Sequence, residues 1–582
     1  MQVNICNHSN LTLPMSITSS QSESLLFQLR HIAQLPLLQS LDSFAHADED
    51  TVRMILEQAA SFAADVLAPL AVSGDIEGCR LVTGCVYLPS GTPQAYRDWC
   101  DLGFPGLGLP TKQGGLGFPR VVQSAVQELS DGANLAFGML AINLRCAALA
   151  LLENGSARMP ASWISGLVDG SIASTIVISE PQAGSDVGRI RTAATPQPDG
   201  SWRLTGSKLW ISYGDHDAAG QILHLVLARV PNGEVGTRGL GLFTVPKRLQ
   251  PAATSPAESD NGVSVLRLEH KMGLHASPTC VLDFKEACGE LIGEAGRGLQ
   301  ALFVMMNAMR LAVAVQGAAV ANVATLHAIR YASERPQGGH PLQAPVMIAQ
   351  HPDVRRMLLE MTAQAELSRA LALRTAACLD RAEALQGEEA AHWQSLGELL
   401  LPIAKTLNAE NAFSVASQGI QVLGGYGYTN DYPLERLARD IRVASIYEGT
   451  SGIQALDFLK RKVLADKGRV LQQLLCLIRK ELASGTSPYS SPAPAVLTML
   501  EQTVDSLQRD SAAAEEGAYA LLQLAGLAVH GWNGHVLYLA AEEQQHNLCA
   551  ALKLHAASLL DTARLWSAKA TTPLPACNFH PC

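Results

Sequence analysis

Apolar residues recur at helical spacing near the start of the chain. Val52, Ile55, Leu56, Ala59, Ala60, Phe62, Ala63 and Val66 share one face, and Pro69 follows just beyond, so a helix is expected there. The preceding residues 1–22 are rich in Ser, Thr and Asn and read as a loose arm. Residues 101–119 (DLGFPGLGLPTKQGGLGFP) are punctuated by Gly and Pro and read as a compact loop, after which helical spacing resumes to about residue 170. The texture then changes. From Ser174 to Phe284 the apolar runs are short and bounded by turn residues: STIVIS, WRLTG, KLWIS, ILHLVLA, GLGLFTV, VSVLRL and CVLDF, with Pro-Asp-Gly at 198–200 and Pro-Asn-Gly at 231–233. Helical patterning returns from about 291 to 465, and Val354–Leu385 has the composition of a long bundle helix. The Ser/Pro-rich stretch 484–495 (SGTSPYSSPAPA) reads as a linker before a last helical segment, 496–569. The expected fold is mostly α with a central β domain. It divides into an N-terminal arm (1–40), a helical domain (41–172), the β domain (173–290), a helical bundle (291–465) and a C-terminal helical domain (466–582).

Composition narrows the function. Of 582 residues 48 % are hydrophobic and 16 % charged, which supplies large cores and excludes general disorder. The formal net charge of −10 lacks the cation excess that nucleic acid or an anionic membrane surface requires, so no nucleic-acid partner is expected. Twelve scattered cysteines without a C-x-x-C pair argue against structural zinc or a disulfide framework. Two uncharged stretches, Leu311–Ile329 and Gly517–Ala541, carry Gln316, Asn322, His327 and Gln523, His530, Asn533, His535, polar groups costly in lipid. Both are therefore read as buried helices, with no membrane span. Met1–Ser22 has no signal-peptide plan, and a cytoplasmic location is expected.

Four segments could carry chemistry, and each has a plain structural reading beside it. In IVISEPQAGSDV (176–187) a strand runs into a Gly-Ser turn whose N–H groups and hydroxyl could cradle a phosphate; it could equally be an ordinary polar turn. In GSKLWISYG (206–214) alternation places Leu209 and Ile211 on one face and Trp210 and Ser212 on the other, so Trp210 could cover an aromatic cofactor or belong to a core. In QVLGGYGY (421–428) the glycines could admit a ligand or cap a helix. In IYEGTSGIQ (446–454) Glu448 could be a carboxylate base, its pKa raised by desolvation, or could cap the helix that follows. Signatures of Rossmann dinucleotide folds, P-loops, zinc proteases and α/β-hydrolases are missing.

In this order and with this α–β–α texture, the four motifs resemble the acyl-CoA dehydrogenase family over about residues 45–465. The likeness extends to a long branch with an extra C-terminal helical domain, through LAPLAVSGDIEG (67–78), GDHD (214–217), EHKMG (269–273), MMNAMRLAVAVQG (305–317) and YASERPQG (331–338). The resemblance implies FAD as cofactor. Ile178 and Ser179 would meet the flavin ring, Gly184 and Ser185 its pyrophosphate, and Trp210 and Ser212 the ring face and the region of N5. Arg335, Gln421 and Gly425 would reach the adenosine half of an FAD in a neighbouring subunit, implying a homodimer or larger homo-oligomer, and Thr450 would contact the cofactor. Ser185, Asn307, Arg310 and Gly449 would meet the acyl-CoA. Glu448 would take the α-proton while the β-hydrogen leaves as hydride to flavin N5, giving a trans-2-enoyl thioester. Where some members carry an alternative carboxylate, one residue before the matching Arg, this chain has Met309. Departures from the family pattern are Gly452, the pair His351-Pro352, and the long tract GGHPLQAPVM (338–347), all on the adenine side. The resemblance also implies an electron-transfer flavoprotein as electron acceptor. It leaves open an oxidase using O₂, an acyl-carrier-protein substrate, and a non-enzymatic FAD- and DNA-binding relative.

Overall fold

Runs of helical spacing fold as helices and the short, turn-bounded runs fold as strands. The computed structural model describes residues 15–155, 159, 161–249, 260–509, 514–541, 545–575 and 577. In chain order these form α1 (Met15–His31), α2 (Leu35–Gln39), α3 (Glu49–Phe62), α4 (Ala68–Glu77), the strands β1 (Arg80–Val82) and β2 (Cys85–Tyr87), α5 (Thr92–Asp101), α6 (Arg120–Ala133), α7 (Leu135–Asn154) and α8 (Ala161–Asp169). The strands β3 (Ile172–Val177), β4 (Ala193–Pro196), β5 (Trp202–Ser212), β6 (Gln221–Arg229), β7 (Leu240–Pro246), β8 (Val263–Leu268) and β9 (Thr279–Ile292) follow. Helices then run to the end: α9 (Gly298–Glu334), α10 (Pro352–Ala384), α11 (Gly387–Leu423), α12 (Leu434–Ile441), α13 (Ser451–Asp457), α14 (Arg469–Leu482), α15 (Pro492–Arg509), α16 (Ala518–Ala540) and α17 (His546–Thr571). The chain is thus mostly helical, with a central sheet domain and a helical extension. It folds as two compact units, one built on Asp50–Ala312 and the other on Glu23–Glu49 together with the chain from Val313 onward.

In the first unit β6 and β4, β5, β9, β7 pair in a ring closed by the β6–β7 ladder, with β3 added parallel to β6 and β8 antiparallel to β9. Closure leaves few free edges. Its interior is filled by Val177, Leu204, Ile211, Val226, Phe243, Leu282 and Phe284. The separately read runs WRLTG and KLWIS are one strand, β5. A bulge against β9 between Lys208 and Ile211 breaks its alternation. Lys208 and Ile211 are buried while Leu209 is only half-buried, so the expected pairing of Leu209 with Ile211 on one face does not hold. The hairpin β1–β2 was not expected; Thr83 and Gly84, both at positive φ, make its two-residue turn.

In the second unit α10 and α11 pack along their lengths and the C-terminal helices close on them. The expected loose arm is a correction: residues 1–14 lie outside the described residues, but from Met15 the chain is helical. Leu25, Leu26, Leu29 and Ile32 are buried, an apolar spacing masked by the polar residues before it. Gln28 Nε2 donates to Glu366 Oε2 (2.6 Å), and Arg369 Nη1 to Ser24 Oγ (2.7 Å). The Ser/Pro stretch 484–495 is likewise a packed connection. Tyr489 is fully buried with its hydroxyl 2.9 Å from His555 Nδ1, and helix α15 begins at Pro492. The guanidinium of Arg374 on α10 lies 3.6 Å from the Trp532 ring centroid, its Nε donates to Asn533 Oδ1 (2.6 Å), and Trp532 Nε1 donates to Glu481 Oε2 (2.7 Å). A desolvated contact of this kind contributes about 2 kcal/mol.

Three helices, Glu49–Glu77, Leu135–Asn154 and Gly298–Glu334, are long and apolar enough to cross a membrane by length and composition. Polar side chains in the two stretches singled out from sequence serve packing. On α9 Asn322 Nδ2 donates to Ala318 O and Ala365 O, and on α16 Gln523 donates to Glu410 while His535 Nδ1 is 2.8 Å from Ser487 Oγ.

Candidate active site

Two sets of site residues arise, one in each unit. In the first, β3 ends at Val177 and hands the chain to Ile178 and Ser179, both half-buried. Leu209 N donates to Ser179 O (2.9 Å), pinning this segment to β5 at the bulge. Beneath it Lys208, fully buried, donates through Nζ to Ile178 O (2.8 Å) and Leu227 O (2.7 Å) and pairs with Glu180 at 2.9 Å. Glu180 also accepts from Arg191 N (2.7 Å), Thr192 N (3.0 Å) and Gln182 Nε2 (2.6 Å). Burial alone would raise the Glu180 carboxyl, but the Lys208 charge and the hydrogen bonds outweigh it and hold the group at about 2. Burial pulls Lys208 down, and Glu180 opposes that pull.

The paired backbone bonds Glu180–Ala183 turn the chain, and Gly184 and Ser185 emerge exposed. Gly184 has no positive φ, and a Cβ built on it would meet nothing within 4 Å. Neither backbone nor packing requires glycine there, whereas a ligand laid against the backbone would. The β5 bulge throws Trp210 outward: it sits at φ 62° and is 60 % exposed, so it is not a core residue. A bulky residue in the left-handed region costs about 1–3 kcal/mol and persists where its surroundings enforce it. Ser212 follows, half-buried and paired with Thr279 of β9. On α9 Arg310 Nη1 lies 3.5 Å from Asn307 Oδ1, and Met309 between them is buried.

In the second unit Glu448 sits in the loop between α12 and α13 at φ 54°, followed by Gly449 at φ 90°. The loop is held from within. Gln454 Nε2 donates to Glu448 O (2.9 Å), and the fully buried Lys405 donates through Nζ to Gly449 O (2.6 Å). A Cβ on Gly449 would approach Gln454 Nε2 to 2.6 Å, which together with its φ accounts for glycine here. Helix α13 starts at Ser451, and its N-cap is Thr450, whose Oγ1 accepts from Ile453 N (3.3 Å). Capping, the alternative task for Glu448, therefore falls to Thr450.

Also in the second unit, Arg335 and Gly425 line one cavity of about 510 Å³ with Tyr331, Gln337, Leu423, Gly424, Tyr426 and Thr429. Gln421 lies on the last turn of α11, exposed, outside that lining. Tyr331, Tyr426 and Tyr432 cluster with ring centroids 5.4–6.4 Å apart, and the Arg335 guanidinium is 5.9 Å from the Tyr426 ring centroid. A Cβ on Gly424 or Gly425 would meet nothing within 4 Å. Aromatic edges, a guanidinium and bare backbone suit a planar heteroaromatic group such as adenine.

Sequence reasoning passed over Lys208, Glu180, Lys405 and Gln454. The signal was present for the first two, which stand inside the segments GSKLWISYG (206–214) and IVISEPQAGSDV (176–187). Lys405 is the sole charged residue between Glu398 and Glu410 in an apolar helix.

The exposed indole of Trp210, on the strand that also carries Ser212, suits the face of a flavin, and the tyrosine-lined cavity of the second unit suits adenine. Models of the acyl-CoA dehydrogenase N-terminal, middle and C-terminal domains match residues 49–171, 175–287 and 296–463, and the chain belongs to the acyl-CoA dehydrogenase family. It is 39 % identical over 534 residues to the 3-methylmercaptopropionyl-CoA dehydrogenase of Ruegeria pomeroyi, covering 89 % of this chain and 90 % of that protein. It is 37 % identical over 457 residues to the broad-specificity linear acyl-CoA dehydrogenase FadE5 of Mycobacterium tuberculosis, covering 76 % and 74 %. In fold it resembles ACDH-11 of Caenorhabditis elegans, solved with C11-CoA, at TM-score 0.78 and 21 % identity, covering 95 % of this chain and 92 % of that one. The protein is an FAD-dependent oxidoreductase acting on the CH–CH group of acyl-CoA substrates.

Proposed function

We propose that Glu448 is the base that removes the α-proton of the acyl thioester. The observation that carries this is the locked loop. Both carbonyls beside the carboxylate, Glu448 O and Gly449 O, are engaged by Gln454 and Lys405, and Thr450 caps the helix. The strained Glu448 backbone is thereby fixed without using its side chain as a cap. Met309 cannot take a proton, so the helix position used by some relatives is closed to this role. An α-proton of a thioester is too weakly acidic for a carboxylate acting alone, and the Glu448 N–H as donor to the thioester oxygen stabilises the enolate-like charge as it develops. FAD, when bound, would supply the hydride acceptor for the β-hydrogen. Ile178, Ser179, Trp210 and Ser212 hold the ring, Gly184 and Ser185 the pyrophosphate, Thr450 adds a cofactor contact, and Arg335, Gln421 and Gly425 serve the adenosine of a second subunit's FAD. Ser185, Asn307, Arg310 and Gly449 orient the acyl-CoA.

The same reading makes the protein a homodimer or larger assembly that passes electrons to an electron-transfer flavoprotein. Ten free thiols among the described residues suit a reducing cytoplasm. Similarity to a protein named for 3-methylmercaptopropionyl-CoA favours a short or modified acyl chain. The test is anaerobic bleaching of the FAD-loaded enzyme by 3-methylmercaptopropionyl-, butyryl- and octanoyl-CoA and by acyl carrier proteins. Fastest bleaching by a short or thioether-bearing CoA is expected. Failure of every acyl-CoA to bleach the flavin while an acyl carrier protein succeeds would overturn the substrate assignment.

A further inference from the structure

The family's domain models end at residue 463, which leaves the helices beyond without a role. One carboxylate joins them to the catalytic loop. Glu410 on α11 accepts from Ser451 Oγ through Oε1 (2.6 Å). Its other oxygen, Oε2, accepts from Tyr519 OH (2.8 Å) and Gln523 Nε2 (2.9 Å), both on α16. Gln523 Nε2 also donates to Tyr519 OH (3.0 Å), and the Tyr519 ring stands edge-on to Trp566 of α17, centroids 5.8 Å apart. The phenol is thus fixed from two further sides. Burial, and then the Glu410 carboxylate, raise its pKa, so it remains a donor at any working pH.

Ser451 is the first residue of α13, three positions after Glu448, and the residues at 448 and 449 are both left-handed. A non-glycine residue in that conformation needs anchors on both sides. Upstream, Tyr447 OH donates to Gln316 Oε1; downstream, Ser451 holds Glu410, and Glu410 is itself held by the C-terminal helices. We propose that Tyr519 and Gln523 are positioning residues for proton abstraction, acting through Glu410 and Ser451 on the Glu448 loop. The C-terminal helices thereby complete the active site. This rests on Glu448 being the base. Displacement of a base by a fraction of an ångström slows the chemical step without weakening the binding of substrate groups held elsewhere.

The test uses full-length, FAD-loaded Tyr519→Phe, Gln523→Met, Ser451→Ala and the double variant Tyr519→Phe/Ser451→Ala. Limiting flavin reduction is followed by anaerobic stopped flow at saturating acyl-CoA, beside acyl-CoA affinity and a melting curve. Each single variant is expected to reduce its flavin about 3- to 30-fold more slowly, with acyl-CoA affinity within about twofold of wild type. The double variant should be no slower than Ser451→Ala, because Tyr519 has nothing left to act through. Wild-type reduction in Tyr519→Phe and Gln523→Met, whatever their melting temperatures, or effects that multiply in the double variant, would overturn the proposal. Glu448→Gln run alongside separates the two failures. If it is silenced while Tyr519→Phe is normal, only the positioning role falls; if it bleaches normally, the base assignment falls and this role with it.

Discussion

Lys208→Met removes the charge buried beneath the segment after β3 while keeping the aliphatic stem. Wild-type Lys208 is fully buried and serves three acceptors, Glu180 at 2.9 Å, Ile178 O at 2.8 Å and Leu227 O at 2.7 Å. The variant leaves Glu180, only 5 % exposed, without its cation, and two carbonyls lose a donor. Breaking one side of a buried pair costs about 3–5 kcal/mol. The three N–H donors that remain on Glu180 place the expected loss at the lower end, about 3 kcal/mol. Urea unfolding of the FAD-free protein followed by tryptophan fluorescence reads this directly. The pH dependence distinguishes charge from packing. The Glu180 carboxyl is lowered from 4.5 to about 2 in the folded protein, so its contribution is fully present above about pH 4.5 and is lost as pH falls toward 2. The gap between wild type and variant should narrow by about 1 kcal/mol between pH 6 and pH 4. A loss below about 1 kcal/mol at pH 7, or a gap independent of pH, would refute the ion-pair account.

Asp131 on α6 is fully buried, and burial lifts its carboxyl from 3.8 to about 7 against the donation from Gln127 Nε2 and the Arg145 charge. A raised carboxyl costs the fold stability as pH climbs from about 4 through 7, so Asp131→Asn should gain on wild type by about 2–3 kcal/mol between pH 5 and pH 8; an unchanged difference in urea melts refutes this. Arg335→Ala should weaken FAD binding about tenfold, with loss of the guanidinium from the tyrosine-lined cavity, and unchanged affinity by titration would remove Arg335 from the adenosine site. Sedimentation of the wild-type protein should show a dimer or larger species, and a monomer that still binds FAD tightly would contradict the cross-subunit assignment.

The layout of helices around a central sheet was legible because period is a property of consecutive residues. Val52 to Val66 and the run ILHLVLA carry their fold locally. The four motifs were legible for the same reason, as short contiguous patterns. What escaped depends on residues far apart in the chain. The bulge at Lys208–Ile211, which exposes Trp210, is set by pairing with β9 some seventy residues later. The Ser/Pro stretch 484–495 reads as a linker until Tyr489 is seen to reach His555, and the arm reads as loose until Gln28 meets Glu366. Capping by Thr450 in place of Glu448 turns on where α13 begins, a boundary that propensity places only to within a few residues. Lys405 and Gln454 act through backbone carbonyls of the loop, contacts that leave no pattern in sequence.

Glu448→Gln tests the base assignment most directly. The substitution keeps the size of the side chain and much of its hydrogen bonding but cannot accept a proton. The variant should fold, melt close to wild type, bind FAD and bind acyl-CoA, while its flavin is reduced at least about 10²–10⁴-fold more slowly in anaerobic stopped flow. Flavin bleaching at close to the wild-type rate in Glu448→Gln, with FAD and acyl-CoA bound, would contradict the assignment of Glu448 as the base.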